Sequence, residues 1–314
     1  MAGDDLLSYA MHADPGFRHH AFVHESQEEH VSTAAAFLKE GLERGEAAVC
    51  GDTREGLARM REALGADASS VTLIDVGSIY TRPARTLAAY HSVFREQLQK
   101  APAVRAFATG EVLLGPPGSR LDEWTAYEAL TNVSYSHLPV WVVCSYDANG
   151  LPDPTLEAVL RTHSDVLTHD WAPSPAFEDP RAAVREHVPE PKELAGLRSI
   201  SFDGSLESFR EQLAREAVAE RVPSGKSLEL LVAATEIATN AIRHGGGIEE
   251  VRVGSAEGRF VCEVIDRGIG FDDPLAGYLA PREGVGTGLW VARQLAWRIE
   301  FLRSALGFTA RIWL

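Results

Sequence analysis

Apolar residues in the first half of the chain follow two periodicities. Short runs rich in apolar and β-branched residues predict buried strands, and helical periodicity between them predicts helices. This alternation predicts a mostly parallel sheet covered on both faces. The predicted strands are His20–His24, Glu46–Cys50, Val71–Val76, Val104–Thr109 and Val140–Cys144, and the predicted helices are Gln27–Arg44, Arg54–Leu64, Ala84–Gln99, Leu121–His137 and Thr155–His163.

The pattern changes in the last third of the chain. Two helical segments precede two strand segments joined by a short turn, and a third helix precedes a closing hairpin. Helices gathered on one face of an antiparallel sheet predict an α/β sandwich. The predicted segments are Leu206–Glu220, Lys226–His244, Glu249–Gly254, Arg259–Asp266, Thr287–Trp297, Ile299–Arg303 and Phe308–Leu314.

A segment rich in proline, alanine and charged residues, Trp171–Pro191, separates the two patterns. Because proline fixes φ and removes a backbone donor, we predict a linker there with at most one short helical turn. The length of 314 residues fits two domains. We therefore place domains at residues 1–170 and 196–314, with the linker at 171–195.

The charge balance narrows the classes of partner. Acidic residues number 45 against 30 basic ones, a formal net charge of −15, which disfavours direct binding to nucleic acid or anionic membranes. The sequence shows neither a signal peptide nor an apolar run long enough for a membrane span, so we expect a cytoplasmic protein. Cys50, Cys144 and Cys262 form no CxxC pair and predict neither a zinc ribbon nor disulfides.

The first candidate motif lies on the predicted helix Lys226–His244. The side chains of Glu236, Asn240 and His244 share one stripe of this helix, because each step of four residues returns to nearly the same face. The opposite stripe is apolar and predicts packing on the sheet. A polar stripe of this kind fits a ligand site, and it is equally typical of a solvated helix surface.

Two glycine-rich segments follow this helix. Asp266, Gly268 and Gly270 come directly after a strand, where a carboxylate can form the floor of a pocket and glycines let the backbone approach a ligand. Residues 284–289, GVGTGL, lead into a helix, whose N–H groups and positive dipole end suit a phosphate. No parallel strand precedes this second segment and no Gly-Lys-Ser/Thr occurs in it, which argues against a Rossmann motif or a P-loop.

Together and in this order, the three motifs resemble those of the GHKL superfamily, which includes gyrase, Hsp90, histidine kinases and anti-sigma-factor serine kinases. The resemblance implies a Bergerat-type α/β sandwich that binds ATP and Mg²⁺. It implies that Asp266 accepts the adenine amino group, that Asn240 holds Mg²⁺, and that Glu236 orients or deprotonates the attacking hydroxyl. The other nucleotide-binding residues that it implies are Arg243, His244, Gly268, Gly270, Gly284, Gly286, Thr287, Gly288 and Thr309.

Among these proteins, the anti-sigma-factor serine kinases fit best. The large ATPase machines carry further domains after the ATP-binding domain, whereas this sequence stops at the closing hairpin that follows its last predicted helix. A histidine kinase needs a phosphoacceptor on a helical hairpin, and prolines around the candidates His163, His169 and His187 disfavour two long helices. We interpret His163 as the exposed end of a helix. Arg282 can reach a terminal phosphate, although a solvated loop charge is the plainer interpretation.

The resemblance also implies partners. Anti-sigma-factor serine kinases phosphorylate a serine of an anti-anti-sigma protein of the STAS fold and bind a sigma factor, and a homodimer is expected. Two alternatives stay open. One is a histidine kinase acting on a response regulator, and the other is an ATP-binding ligand sensor without turnover.

The N-terminal half resembles a MEDS domain, a sensory domain first described in methanogens and methylotrophs. The matching stretches include HAFVH at 20–24, WTAYE at 124–128 and CSYD at 144–147. The resemblance implies a RecA-like fold, but without a GxxxxGK[ST] motif we expect no ATP there. His19, His20 and His24 do not by themselves predict a metal site.

Parallel sheets bind ligands at their carboxyl edge. We therefore predict a sensory pocket for an unknown small molecule at that edge of the N-terminal sheet. Buried packing is the plainer interpretation of its aromatic members. The candidate pocket residues are Glu111, Trp124, Tyr127, Glu128, Cys144, Tyr146 and Asp147.

Overall fold

The computed structural model describes residues 16–110, 121–168, 170–187, 191–281, 286–304 and 307–314. The chain divides into two units between Val188 and Pro189. Within the described ranges, no helix combines the length and the apolar character needed to cross a membrane.

A sheet of seven strands forms the centre of the first unit. Its strands are β1 (Arg18–His24), β2 (Ala47–Asp52), β3 (Val71–Asp75), β4 (Val104–Thr109), β5 (Val140–Asp147), β6 (Asp165–Leu167) and β7 (Trp171–Pro173). They lie in the order β3-β2-β4-β5-β1-β6-β7, and each neighbouring pair is parallel except β6 with β7. The predicted mostly parallel sheet is confirmed.

Helices cover both faces of this sheet. They are α1 (Gln27–Glu43), α2 (Arg54–Leu64), α3 (Val76–Ile79), α4 (Pro83–Gln97), α5 (Leu121–Ser134), α6 (Asp153–Thr162) and α7 (Pro180–His187). Side chains alternate along β1, so that Phe22 packs with Phe37 of α1 and Leu57 of α2. His19 points to the other face and contacts Glu128 of α5. The result is the α/β/α layering expected of a RecA-like domain.

Local capping determines where the first two helices begin. The hydroxyl of Ser26 accepts the N–H of Glu29 at 3.2 Å at the start of α1. The hydroxyl of Thr53 accepts the N–H of Gly56 at 3.1 Å at the start of α2. Each bond satisfies one of the N–H groups that a helix leaves without an internal partner, and each helix begins where the sequence predicts.

The second unit is the predicted α/β sandwich. Its strands are β8 (Arg198–Ile200), β9 (Ile248–Ala256), β10 (Arg259–Asp266), β11 (Arg298–Ser304) and β12 (Gly307–Trp313), and its helices are α8 (Leu206–Ala219), α9 (Ser224–His244) and α10 (Thr287–Leu295). The strands form an antiparallel sheet in the order β11-β12-β10-β9-β8. One apolar core joins the helices to the sheet and includes Phe209, Ile237, Val264 and Ile312.

The segment predicted as a linker contains regular structure. It begins with β7, and α7 starts at Pro180 directly after Asp179, whose carboxylate accepts two backbone N–H groups at 3.0 Å each. Proline suits the first position of a helix, because an N–H there would have no partner inside the helix. α7 has eight residues, and its Ala183 and Val184 are buried. Proline therefore starts a helix here rather than preventing one.

Candidate functional site

The site in the second unit begins on the C-terminal half of α9. Glu236 and Asn240 are half-buried and lie one turn apart, whereas Arg243 and His244 are exposed in the last turn. Ile237, on the apolar side of the helix, packs into the core. The polar stripe therefore faces away from the core, as its spacing predicts.

Asp266 ends β10 beside the C-terminal end of α9. It is 9% exposed, and its Oδ1 accepts the N–H of Gly268 at 2.7 Å. A Cβ on Gly245 would overlap this carboxylate, and a Cβ on Gly268 would lie 3.0 Å from the Cα of Gly245. Partial burial raises the pKa of Asp266, and the Gly268 N–H opposes that shift. A carboxylate held in this way can accept a further N–H from an amino group.

An aromatic group lies next to this carboxylate. Gly270 has a φ of +65°, which favours glycine, and a Cβ there would overlap the ring of Phe308. The ring centroid of Phe308 lies 5.0 Å from that of Phe271 and 5.7 Å from that of Phe301. Because Phe271 is 40% exposed, these three rings form an apolar wall on which a planar base can stack.

The first turn of α10 lies against Glu236. Gly286 precedes the helix in a left-handed conformation, with a φ of 80°, and as a glycine it has no side chain to cap the N–H groups of the helix, which begins at Thr287. A Cβ on Gly288 would lie 3.5 Å from the Cδ of Glu236 and would overlap its Oε2. The structure thus brings a carboxylate to a helix start, which is where phosphate groups bind.

Thr309 does not reach this pocket. Directly paired residues of an antiparallel sheet share a face, and successive residues alternate between faces. Asp266 pairs with Phe308, whereas Thr309 pairs with Ile265 and points to the opposite face. Ala310, on the same face as Phe308, belongs to the core beneath the helices. The prediction for Thr309 is therefore wrong, and Phe308 occupies the position beside Asp266.

The segment after the first glycine motif packs against α10. Leu275 is buried, and the Nε of Arg293 donates to the carbonyl of Ala276 at 2.6 Å. The same guanidinium lies 4.0 Å from the ring centroid of Tyr278. Arg293 therefore ties this segment to the helix that carries Gly288. Gly284, which the resemblance places at the nucleotide, and Arg282, for which a solvated loop charge is the plainer interpretation, lie outside the described residues.

In the first unit, Glu128 and Cys144 of the predicted sensory pocket meet two histidines. The Nε2 of His19 lies 3.2 Å from the Oε2 of Glu128 and 3.4 Å from the Sγ of Cys144. The Nε2 of His163 lies 3.8 Å from the same Oε2 of Glu128. All four residues are buried. We call His19, Glu128, Cys144 and His163 the N-terminal cluster.

Burial determines the protonation states of this cluster. It lowers the pKa of His19 and of His163 to about 3, because a charged imidazole loses its hydration there. It raises the pKa of Glu128 to about 7 and raises the pKa of the Cys144 thiol well above its ordinary value. At neutral pH the imidazoles and the thiol are uncharged.

Three predicted pocket residues pack beside the cluster as buried aromatic rings. Trp124 meets Tyr146 edge-on, with ring centroids 5.9 Å apart, and Tyr127 meets Tyr80 edge-on at 6.2 Å. The hydroxyl of Tyr146 donates to the Oε1 of Glu128 at 3.3 Å. Tyr146 and Trp124 therefore both act directly on Glu128 of the cluster.

Several predicted pocket residues do not lie at the carboxyl edge of the sheet, where the sequence predicts them. β5 runs to Asp147, so Cys144 and Tyr146 lie inside the strand and face α5 rather than standing at its carboxyl edge. The carboxylate of Asp147 accepts the N–H of Asn149 at 2.9 Å in the turn that follows. Glu111 lies outside the described residues.

His163 is the clearest correction in this unit. The sequence predicts it at the exposed end of a helix, but its relative exposure is 0%. α6 ends at Thr162, and the chain turns at once beside β1, where the N–H of Ser164 bonds the carbonyl of His19 at 3.3 Å. That hydrogen bond holds the chain beside β1 and leaves the side chain of His163 buried. The members of the cluster share no short motif, so the spacing of residues along the chain does not predict the cluster.

Comparison with known families identifies both units. A family model described as MEDS, methanogen/methylotroph, DcmR sensory domain, matches residues 18–164. A family model described as histidine kinase-like ATPase domain matches residues 203–313. A solved structure described as the cytoplasmic domain of EssC is similar over 47% of this chain and 31% of its own, with 16% identity and a TM-score of 0.30. This likeness carries no argument. No curated protein matches the chain.

Proposed function

Because this chain joins a MEDS domain at residues 18–164 to a histidine kinase-like ATPase domain at residues 203–313, we propose that it is a signalling protein serine kinase. The MEDS domain senses a small molecule or a protein, and the ATPase domain transfers phosphate from ATP to a serine of an STAS-type anti-anti-sigma partner. A sigma factor is the further partner that this activity releases or retains. The position of Glu236 against the first turn of α10 carries the proposal.

The described residues fit an adenine nucleotide. Asp266 offers an acceptor for the adenine amino group, and the aromatic wall with Phe271 offers a stacking surface. The N–H groups at the start of α10, where the N-cap residue Gly286 has no side chain, suit the phosphates. A nucleotide that spans these two places passes the stripe of α9 that carries Asn240.

The same stripe fits Mg²⁺. Asn240 and Glu236 present an amide oxygen and carboxylate oxygens one turn apart, and such oxygens are the ligands that this ion prefers. When bound, Mg²⁺ neutralises charge on the phosphate oxygens. Asn240 holds the ion in this proposal, which leaves Glu236 to act on the hydroxyl that attacks.

The proposed transfer needs one proton acceptor. The serine oxygen of the partner forms a bond to the γ-phosphorus while the bond from that phosphorus to the bridging oxygen of ADP breaks. The serine proton passes to the carboxylate of Glu236, and ADP leaves with the electron pair of the broken bond. Positioning and electrostatic stabilisation account for most of the rate in such reactions. Glu236 is half-buried and lies at the helix start where the γ-phosphate is expected.

The surroundings of the histidines support serine rather than histidine as the acceptor. His163 is wholly buried, so its imidazole has no access to a nucleotide on another domain. His187 is engaged with Asp122, with its Nδ1 3.0 Å from a carboxylate oxygen. His169 lies outside the described residues. Neither described candidate stands on a long helical hairpin.

A transfer assay with γ-³²P-labelled ATP tests the proposal. The full chain is incubated with Mg²⁺ and a panel of purified STAS proteins from the same organism. We expect label on one STAS protein, stable in acid and released by alkali, as phosphoserine is. Glu236→Gln should slow the transfer by about 10²–10⁴-fold, the usual contribution of a general base. Asn240→Ala should abolish Mg²⁺-dependent ATP binding.

Glu229→Gln is the matched control. Glu229 lies on the same helix, nearly two turns earlier, and its carboxylate is paired with Lys226 at 2.5 Å, so its loss should not change turnover. Acid-labile label on the chain itself would contradict the serine assignment and indicate a histidine kinase. Tight ATP binding with no transfer to any STAS protein would indicate a ligand sensor without turnover.

A further inference from the structure

The N-terminal cluster gathers four residues with metal-binding side chains from four separate elements. His19 comes from β1, Glu128 from α5, Cys144 from β5, and His163 directly follows α6. Their potential ligand atoms, one from each residue, all lie within 4.8 Å of one another. Two imidazoles, a thiol and a carboxylate therefore converge on one buried point.

Three of the distances within the cluster are close to those of a tetrahedral coordination shell. Nitrogen, oxygen and sulfur ligands lie about 2.0–2.3 Å from a tetrahedral zinc ion, which places them roughly 3.3–3.8 Å from one another. In the cluster, the Oε2 of Glu128 lies 3.2 Å from the Nε2 of His19 and 3.8 Å from the Nε2 of His163. The Sγ of Cys144 lies 3.4 Å from the Nε2 of His19.

The ring of His163 is oriented as a metal ligand would be. Its Nδ1 lies 2.9 Å from the carbonyl oxygen of Val159. A carbonyl only accepts, so Nδ1 carries the proton and Nε2 presents a lone pair to the cluster. Metal-binding histidines are usually held in this way, by a hydrogen bond from the other ring nitrogen.

Glu128 supplies the strongest sign that a ligand belongs here. Its Oε1 accepts the hydroxyl of Tyr146 at 3.3 Å. Its Oε2 is buried and has no hydrogen bond of ordinary geometry within the described part of the chain, although the Nε2 of His19 lies 3.2 Å away and the side chain of Trp124 also acts on this carboxylate. A buried carboxylate oxygen without a partner is unfavourable. A cation at the centre of the cluster would provide that partner.

On these grounds we propose that His19, Glu128, Cys144 and His163 bind one divalent transition-metal ion, with Zn²⁺ the best match to two nitrogens, one sulfur and one oxygen. With Glu128 and Cys144 ionised, a divalent ion leaves the buried site without net charge, which removes the main cost of enclosing it. Four protein ligands leave no open coordination position. The site therefore holds the ion and does not supply a catalytic water.

The same residues are poorly arranged for a thiol nucleophile. In such a site the acid orients the histidine through one ring nitrogen, while the other nitrogen takes the proton of the thiol. Here Glu128 and Cys144 both lie at the Nε2 of His19, at 3.2 and 3.4 Å. The thiol is also 7% exposed and its pKa is raised by burial. The geometry fits ligands around an ion rather than a relay of protons.

Cobalt titration of the full chain tests the proposal. The protein is purified, treated with a chelator, and titrated with Co²⁺, a tetrahedral substitute for Zn²⁺ that absorbs visible light. We expect one equivalent per chain, a thiolate-to-cobalt charge-transfer band in the near ultraviolet, and full displacement by Zn²⁺. A folded protein that takes up no stoichiometric Co²⁺ or Zn²⁺ would overturn the proposal.

Matched variants identify the ligands. Cys144→Ser should abolish the charge-transfer band, whereas Cys50→Ser, a buried cysteine outside the cluster, should retain it. His163→Gln should lower Zn²⁺ affinity by more than the roughly 10–100-fold that loss of an outer hydrogen-bond partner costs. His91→Gln, which changes a half-buried histidine of α4 outside the cluster, should not change that affinity. A charge-transfer band that survives in Cys144→Ser would overturn the assignment.

A second measurement keeps the proposal testable if a variant does not fold. Circular dichroism establishes folding for each variant. X-ray absorption of the zinc-loaded wild-type chain then reads the ligand atoms without any substitution, and we expect one sulfur and three nitrogen or oxygen ligands. A shell without sulfur would refute the site. None of these readouts involves ATP or a kinase assay, so failure here and failure of the proposed function are distinguishable.

Discussion

Gly288→Ala tests whether Glu236 acts from the first turn of α10. The added Cβ would overlap Oε2 of Glu236, so the carboxylate must withdraw by about 1 Å to restore an ordinary contact distance. The overlapping atom is the end of a flexible side chain, and Gly288 has no positive φ. The fold therefore accommodates the change. Alanine is favoured over glycine in a helix by up to about 1 kcal/mol, so we expect equal or greater stability.

The expected effect on activity has the opposite sign. A displacement of about 1 Å at a catalytic group can cost about 10²-fold in rate, and we expect kcat for transfer to the STAS partner to fall by roughly that factor. The affinity for ATP should change little, because alanine keeps the backbone N–H. A thermal melt, an equilibrium ATP titration and single-turnover transfer measure the three quantities separately.

Two comparisons establish the cause. Gly225→Ala, in the first turn of α9, adds a Cβ with no heavy atom within 4 Å and should leave kcat unchanged. In a Glu236→Gln background, Gly288→Ala should add little further loss, since two changes that act through one group are not additive. Unchanged kcat in Gly288→Ala would refute the reasoning. A loss of ATP affinity equal to the loss of rate would place the overlap at the nucleotide instead.

Three further predictions concern the pocket and the fold. Thr309→Val should leave the Kd for ATP unchanged in a fluorescence titration, because Thr309 faces away from Asp266. Asp266→Asn should weaken ATP binding at least tenfold, about 1.4 kcal/mol. Equal effects of the two changes would contradict the strand register. ATP affinity should fall as the pH is lowered through the raised pKa of Asp266, since only the ionised carboxylate accepts without donating. The Kd for ATP measured against pH checks this, and Asp266→Asn should remove the pH dependence. Arg105→Leu removes a side chain that is 2% exposed and bonds Glu46 at 2.5 Å and Glu40 at 2.8 Å. The free energy of unfolding, measured by urea denaturation, should therefore fall by about 3 kcal/mol. An unchanged urea midpoint would count against that pairing.

The features that the sequence predicts well depend on neighbours along the chain. Glu236 and Asn240 lie on one helix, so their shared stripe follows from helical geometry alone. Asp266 and Gly268 are two residues apart, and their hydrogen bond forms within a single turn. The alternation of strands and helices likewise predicts the parallel sheet without knowledge of strand order. In each case the local geometry of the backbone is enough to predict the feature.

The features that the sequence misses depend on pairing between distant segments. The family resemblance implies that Thr309 binds the nucleotide, but a shift of one residue in a strand reverses the face of a side chain. His163 reaches His19 only because the chain leaving α6 pairs beside β1. A local sequence pattern predicts neither the register between two strands nor the order of strands in a sheet. The N-terminal cluster was for that reason invisible to motif spacing, although each member is a residue type that binds metals.

The two buried carboxylates illustrate how surroundings select a ligand. Asp266 keeps part of its surface exposed, holds one backbone N–H from Gly268, and is bordered by glycines, so it retains room and acceptor capacity for an amino group. Glu128 is enclosed by imidazoles, a thiol and a phenol, and its Oε2 lacks a hydrogen bond among the described residues. Each neutral imidazole can turn one nitrogen lone pair towards the centre of the cluster, a thiolate and a carboxylate offer further lone pairs, and what satisfies several lone pairs at once is a cation. The same functional group therefore points to a nucleotide in the second unit and to a metal ion in the first.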